Sequence, residues 1–238
     1  MAVRYRTIQL PRDPKQLTPR VLAKYARLRL LALHEYPDRL DGLESHSTFS
    51  ESDWRAMLTD PTRYHFICVA GHSGSERRDL EHGAWVGMNI LIGPLSDGQY
   101  NFTRATGAVA GSRDMQKVTL WHGLATYVLP PHRGAGAWED LFGALVTFMR
   151  TYTQAHLEAT NQSGERGFLA RGFVKGDNPA LREVYASLGA YEAARITHAD
   201  AQHLNWKLGL CELIPDSFSM EGKGDDELYS VMEISVSC

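Results

Sequence analysis

Tyr127-Val128-Leu129-Pro130-Pro131-His132-Arg133-Gly134-Ala135-Gly136-Ala137-Trp138-Glu139-Asp140-Leu141 decides how this chain is read. An apolar strand runs into a Pro-Pro stop. A basic, Gly-rich turn follows, and a long amphipathic helix begins at once. Glycine lets the backbone curl, and the first N–H groups of the helix have no partner within it. Such a turn is built to receive an anion, and Arg133 adds a permanent positive charge. The expected guest is a phosphate or pyrophosphate.

The turn is not a P-loop, because no Lys-Ser or Lys-Thr follows it. It is not a complete dinucleotide fingerprint either. Gly134 and Gly136 supply G-x-G, but Glu139 stands where the third glycine belongs. Taken alone, the turn fits an ordinary strand-to-helix connection as well as an anion site.

A second element lies downstream. Asp177-Asn178-Pro179-Ala180-Leu181-Arg182-Glu183-Val184-Tyr185-Ala186-Ser187-Leu188-Gly189-Ala190 reads as a capped helix. Asn178 suits the N-cap and Pro179 the first helical position. Leu181, Val184, Tyr185 and Leu188 fall on one face, and Gly189 is placed to stop the helix. A strand over 167–174 precedes it.

The two elements together resemble the GNAT superfamily, the GCN5-related N-acetyltransferases. Their acetyl-CoA loop is Q/R-x-x-G-x-G/A between a strand and a helix. Here Arg133 and Gly136 match, and Trp138 replaces the usual small residue, so a large side chain must turn away from the pyrophosphate. The family's later N-x-x-A-x-x-x-Y-x-x-L-G-F pattern is met by Asn178, Tyr185, Leu188 and Gly189, with Leu181 and Ala190 departing from it. The two motifs cover residues 118–191. The resemblance implies an α/β chain with a GNAT-like acyl-CoA N-acyltransferase fold: a mixed, mostly antiparallel seven-stranded sheet flanked by helices. It also implies acetyl-CoA as acyl-donor cosubstrate.

Composition sets bounds. The chain has 238 residues, 43% hydrophobic and 22% charged, with a net charge of −3. These values suit an ordinary globular protein and argue against general nucleic-acid binding. No apolar run reaches membrane-spanning length. Met1 to Arg20 is polar and lacks a signal-peptide core. Cys68, Cys211 and Cys238 are few, odd in number and widely spaced, as free thiols in a reducing compartment would be. A cytoplasmic protein without metal, nucleic-acid or membrane partners is expected, as a monomer or homodimer. His198 and His203 are five apart and make a poor helical metal pair.

Patterning gives the remaining elements. Strands are expected over 5–10, 65–70, 84–92, 118–129, 167–174, 191–196 and 228–236, the last two able to pair. Helices are expected from Pro19 to about His34, over 50–58 with Ser50 as cap, over 136–156 and over 178–188. Residues 71–81 read as a polar turn region and 95–117 as a long loop. Residues 197–226 form an insertion of undefined fold. The whole reads as one domain, 1–238, carrying that loop and that insertion.

Acetyl transfer needs a pyrophosphate cradle, donors that polarise the thioester carbonyl, a base for the acceptor ammonium and an acid for the leaving thiolate. The backbone of Gly134, Ala135, Gly136, Ala137 and Trp138 with the Arg133 side chain supplies the cradle, and Asn178 lies in the second motif. By the resemblance, Val128 or Leu129 is the carbonyl donor and Tyr185 the acid, although its spacing also fits a core tyrosine. The strand 118–129 holds no Asp or Glu, and His122 is its one side chain that titrates near neutrality. His122 is the candidate base, or else water relays the proton to a carboxylate such as Glu35. A packed, half-buried histidine is the other reading of His122. No cysteine lies between 118 and 188, which argues for direct attack in a ternary complex over an acetyl-cysteine intermediate. The helix end His34-Glu35-Tyr36, the loop 95–117 and the insertion should meet the acceptor. A small-molecule primary amine is the first expectation. A protein or peptide amine, or a CoA-binding protein without transferase activity, are the alternatives.

Overall fold

The computed structural model describes residues 3–35, 46–71, 74–100, 118–159, 167–176, 178–208 and 228–237. Seven strands are present: β1 Tyr5–Gln9, β2 Arg63–Ala70, β3 Ala84–Leu95, β4 Val118–Val128, β5 Gly167–Lys175, β6 Tyr191–Thr197 and β7 Leu228–Ser237. Their order in the sheet is β1-β2-β3-β4-β5-β7-β6. The helices among the described residues are α1 Pro19–Glu35, α2 Glu51–Thr59, α3 Glu76–His82, the single turn α4 Asp97–Tyr100, α5 Ala137–Ala159, α6 Pro179–Ser187 and α7 His198–Lys207. None is long and apolar enough to cross a membrane. Two compact units divide the chain, Met1–Gly93 with Gly123–Met149 and Pro94–His122 with Arg150–Cys238, so β4 contributes to both.

In the first unit β1 and β2, and β2 and β3, pair antiparallel. Thr18 starts α1, its side chain accepting from the Val21 amide at 3.3 Å. The helix buries Val21, Leu22, Tyr25, Leu28, Ala32 and Leu33 on one face, and the spacing of Val21, Tyr25, Leu28 and Ala32 in the sequence marks that stripe. Ser50 and Asp53 form a capping box at the start of α2, satisfying two amides reciprocally.

The sequence reads 71–81 as turn, yet α3 forms there. It has no apolar period, and Leu80 is its one buried hydrophobic residue. Side chains of α1 complete its C-terminal end: Lys24 Nζ donates to the carbonyls of Leu80 and Gly83, both at 2.8 Å, and Arg20 Nε to that of Glu81 at 2.8 Å. Cations at a helix C-terminus also oppose its dipole.

In the second unit β7 pairs antiparallel with β5 from Gly167↔Ser237 to Lys175↔Tyr229, and with β6 on its other side. The expected pairing of the last two strands is present. Less foreseeable is that the C-terminal strand lies between two strands that precede it. The Asn178 side chain accepts from the Leu181 amide at 3.0 Å, the cap expected for α6. Residues 97–100, expected as loop, form α4, and residues 198–207 of the insertion form α7. Residues 101–117 of that loop and 209–226 of the insertion lie outside the described residues.

His65 is a buried polar group of the first unit whose two ring nitrogens both meet partners. His65 is 2% exposed and lies between Tyr25 and Met57. Its Nε2 is 3.2 Å from the Met57 carbonyl, which can only accept, so Nε2 carries the proton. Nδ1 then accepts from the Tyr25 hydroxyl at 2.8 Å. A neutral imidazole satisfies both contacts, and burial depresses the His65 pKa to about 3. Between that value and the unfolded value of about 6.5, the unfolded chain binds a proton that the folded chain refuses. Stability should therefore fall as pH drops through this window, by at most about 1.4 kcal/mol per pH unit. Urea unfolding at about pH 7 and about pH 4.5 should show a steeper loss for wild type than for His65→Gln. Equal losses would remove His65 as the acid-sensitive group.

Candidate functional site

The anion turn is built wholly within the first unit. Val128 ends β4, and the Leu129 amide donates to the Val86 carbonyl of β3 at 2.8 Å. Successive amides of an antiparallel strand point to opposite sides, so the Val128 N–H is directed away from β3. Of the two expected carbonyl donors, Leu129 is thus engaged in the sheet ladder, and Val128 is aimed elsewhere. Pro130 and Pro131 lack amide protons and end the ladder. A single 3-10 turn over Pro130–His132 follows, with His132 N–H on the Leu129 carbonyl at 2.9 Å.

Gly134 and Gly136 take left-handed φ values of 68° and 95°. An added Cβ would meet nothing within 4 Å at Gly134 and only the Tyr5 ring at 3.9 Å at Gly136. Backbone conformation, not space, therefore requires glycine at both positions. The first helical hydrogen bond of α5 runs from the Asp140 amide to the Gly136 carbonyl at 3.1 Å. The amides of Ala137, Trp138 and Glu139 precede it and have no acceptor in the helix. Trp138 is half-buried. Around the turn, the Tyr5 hydroxyl meets His132 Nδ1 at 3.0 Å, and Thr7 donates to Asp140 at 2.7 Å. Cys68 is fully buried, and burial with the nearby Asp140 pushes its thiol up to about 12. That leaves it inert as a nucleophile.

Arg133 is not simply poised above the helix N-terminus. Its Nε donates to the Val128 carbonyl at 2.9 Å, and Nη2 pairs with Glu35 Oε1 at 2.5 Å. The guanidinium carbon lies 5.7 Å from the centre of the Tyr127 ring. The Tyr127 hydroxyl donates to the second carboxylate oxygen of Glu35 at 2.7 Å. The structure thus brings together Glu35, Val128 and Arg133, three residues singled out in the sequence, and adds Tyr127. Tyr127 reads as an interior strand residue, and its hydroxyl gives no signal in the sequence. His34 is exposed on the last turn of α1, and Tyr36 lies outside the described residues.

β4 carries a further irregularity. Ala125 has φ 54°, the one left-handed value at a non-glycine among the described residues. Such a conformation costs an L-residue about 1 kcal/mol or more. The next residue, Thr126, accepts from Asn89 Nδ2 at 2.6 Å, which fixes the strand beyond the kink.

The remaining candidates belong to the second unit. His122 is 1% exposed, so it is fully buried where a half-buried ring is expected, and it packs on Phe173 with 4.7 Å between ring centres. Trp121 on the opposite face packs against Tyr152, and its indole donates to Thr119 at 2.9 Å. Tyr185 is half-buried in the last turn of α6, whose N-cap is Asn178. A cluster the sequence does not announce surrounds Arg171 of β5, which is 2% exposed. Arg171 donates to the carbonyls of Tyr100 and Gln99 at the end of α4 and lies over the Tyr100 ring. The Tyr100 and Tyr191 hydroxyls both donate to Glu233. Burial lowers the Arg171 pKa to about 10 and raises that of Tyr100. The cluster fastens α4 to β5 and β7. Among the described residues no group of three or more His, Cys, Asp or Glu is placed to hold a metal ion.

No family model and no curated protein sequence matches the chain. Solved structures do. Arabidopsis thaliana NAA60 in complex with acetyl-CoA is similar over 99% of this chain and 99% of its own, with a TM-score of 0.54 and 10% identity. The same protein in complex with a bisubstrate analogue gives a TM-score of 0.51 at 10% identity, over 97% of this chain and 99% of that one. Salmonella typhimurium yncA with its cofactor acetyl-CoA gives 0.50 at 13% identity, over 98% and 94%. At such identities the likeness is one of fold. With a seven-stranded mixed sheet in the order β1-β2-β3-β4-β5-β7-β6 and a glycine turn opening α5, the chain has the acyl-CoA N-acyltransferase fold of the GNAT superfamily.

Proposed function

We propose that this chain is an acetyl-CoA-dependent N-acetyltransferase that acts on a primary amine of a small molecule by direct transfer. The observation that carries the reading is the turn 133–138. Two left-handed glycines expose the first-turn amides of a 23-residue helix immediately after a strand. These amides suit a pyrophosphate, with Arg133 beside them. The Val128 N–H, directed away from the β3 ladder, suits the polarisation of a thioester carbonyl, a task that needs a donor already in place. Leu129 then serves the site through its position and not through its amide. Asn178 acts by capping the helix that carries Tyr185.

The amine nitrogen attacks the thioester carbonyl carbon, the carbon–sulfur bond breaks, and the amine proton must leave. Tyr185 is assigned as the acid that protonates the CoA thiolate, and His122 as the base on β4. With His122 buried against Phe173, it would act through an intervening water, and a carboxylate relay is the competing route. His34 and Glu35, at the end of α1, are assigned to the acceptor side.

Acetyl-CoA turnover against a panel of small amines and peptides tests the reading. Turnover of small amines is expected. Turnover of peptides alone would move the acceptor to a protein amine, and CoA binding without turnover would leave a binding protein. Gly136→Asp should weaken CoA binding in calorimetry, because it forces a side chain into a left-handed backbone and sets a negative charge beside the pyrophosphate. Equal affinity would place the donor elsewhere. Tyr185→Phe should lower kcat by about 10²-fold with little change in CoA affinity, the usual scale for an acid–base group. His122→Ala should lower kcat similarly. Unchanged rates in either variant would assign that residue to packing.

A further inference from the structure

The strand at one edge of the sheet reaches both flanks of the turn 133–138. Among the described strands β1 pairs with β2 only. Side chains alternate along a strand, so Tyr5 and Thr7 share one face. The Tyr5 hydroxyl meets His132 Nδ1 at 3.0 Å, and its ring stands edge-on to the imidazole with 5.8 Å between ring centres. The same Tyr5 ring is what a Cβ at Gly136 would meet, at 3.9 Å. Thr7 donates to Asp140 Oδ2 at 2.7 Å, on the residue whose amide makes the first helical hydrogen bond of α5. Two alternate side chains of one strand thus hold the chain just before the turn and just after it. Both are half-buried, and Thr7 stands opposite the fully buried Cys68 of β2. All of these residues belong to the first unit.

The glycines of the turn say what that grip accomplishes. Glycine loses more conformational freedom on ordering than any other residue, and Gly134 and Gly136 both sit in left-handed conformations. The amides of such a turn converge on an anion only while the turn keeps one conformation. A site ordered in advance binds more tightly than one its ligand must order. We infer that β1 is part of the donor site, with Tyr5 and Thr7 as positioning residues that hold the two flanks of the turn 133–138 in its anion-binding conformation. The inference rests on the reading of that turn as the acyl-donor cradle. Neither residue has to touch the donor. Donor binding and the docking of β1 on β2 are then linked: an anion in the turn favours the docked strand, and the docked strand favours the anion by the same factor. The hydroxyls are the specific element, because Phe and Val would suit an edge strand as well as Tyr and Thr do.

Calorimetry with CoA on three variants and hydrogen exchange on the wild type test the inference. Tyr5→Phe keeps the ring beside Gly136, and Thr7→Val keeps the shape of the strand, but each removes one hydroxyl. Each should weaken CoA binding by about three- to tenfold, the scale of one hydrogen bond. Thr7→Ser restores a hydroxyl and should restore the affinity. In turnover, KM for acetyl-CoA should rise in the first two variants, with kcat at saturating donor changed less. The exchange arm needs no substitution. The Leu10 amide donates to the His65 carbonyl at 2.8 Å, so by strand alternation the Arg6 and Ile8 amides also face β2. Saturating CoA should slow exchange at these three amides by about threefold or more, the same coupling seen from the other side. CoA affinity unchanged in both Tyr5→Phe and Thr7→Val overturns the inference even where their urea midpoints fall, since that is the pattern of a merely structural strand. Thr7→Ser as weak as Thr7→Val, or β1 exchange indifferent to CoA, overturns it too. Wild-type protein that fails to bind CoA overturns the donor-site reading and this inference together, whereas CoA binding that ignores β1 overturns this inference alone.

Discussion

A helix cannot pair the amides of its own first turn, and the turn between β4 and α5 is organised around that constraint. The chain must leave a sheet, reverse and start a helix without covering those amides. Two prolines end the ladder at Leu129. Two glycines in left-handed conformations then make the reversal. Among the described residues, an added Cβ would meet nothing within 4 Å at Gly134 and only the Tyr5 ring at 3.9 Å at Gly136. An anion is what such a turn attracts, and the pyrophosphate of the proposed acyl-CoA donor carries the matching charge.

Charges near the turn are arranged in pairs. Arg133 meets Glu35, Glu35 meets Tyr127, and Asp140 meets Thr7. The exposed pair is the labile one, while the buried contacts are fixed by the sheet. The Tyr127 hydroxyl and the Arg133 guanidinium offset the placement of an acidic residue at the C-terminus of α1. Elsewhere in the molecule a different rule holds. His65 is kept neutral by burial, and its neutral ring meets a hydroxyl and a carbonyl. Arg171 spends its donors on carbonyls at the end of α4, where no ligand role is needed to explain it.

The sequence by itself determined the elements whose formation is local. The α1 stripe, the Ser50 and Asn178 caps, the Pro-Pro stop and the left-handed glycines depend on residues within a few positions of one another. Periodicity and capping therefore reveal them. The anion turn was legible for the same reason, since all of its parts lie between Leu129 and Asp140. Tertiary structure alone decided the rest. α3 has no apolar period, and Lys24 and Arg20, far away in the chain, take up carbonyls at its C-terminal end. β7 lies between β5 and β6 because strand order follows long-range pairing, which leaves no trace in local pattern. The partner of Arg133 is nearly a hundred residues distant, and the hydroxyl that steadies that partner looks like any core tyrosine in the sequence. Local sequence thus set the shape of the turn, and only the folded chain set which carboxylate pairs with its arginine, because charge pairing depends on distance in space and not on distance along the chain.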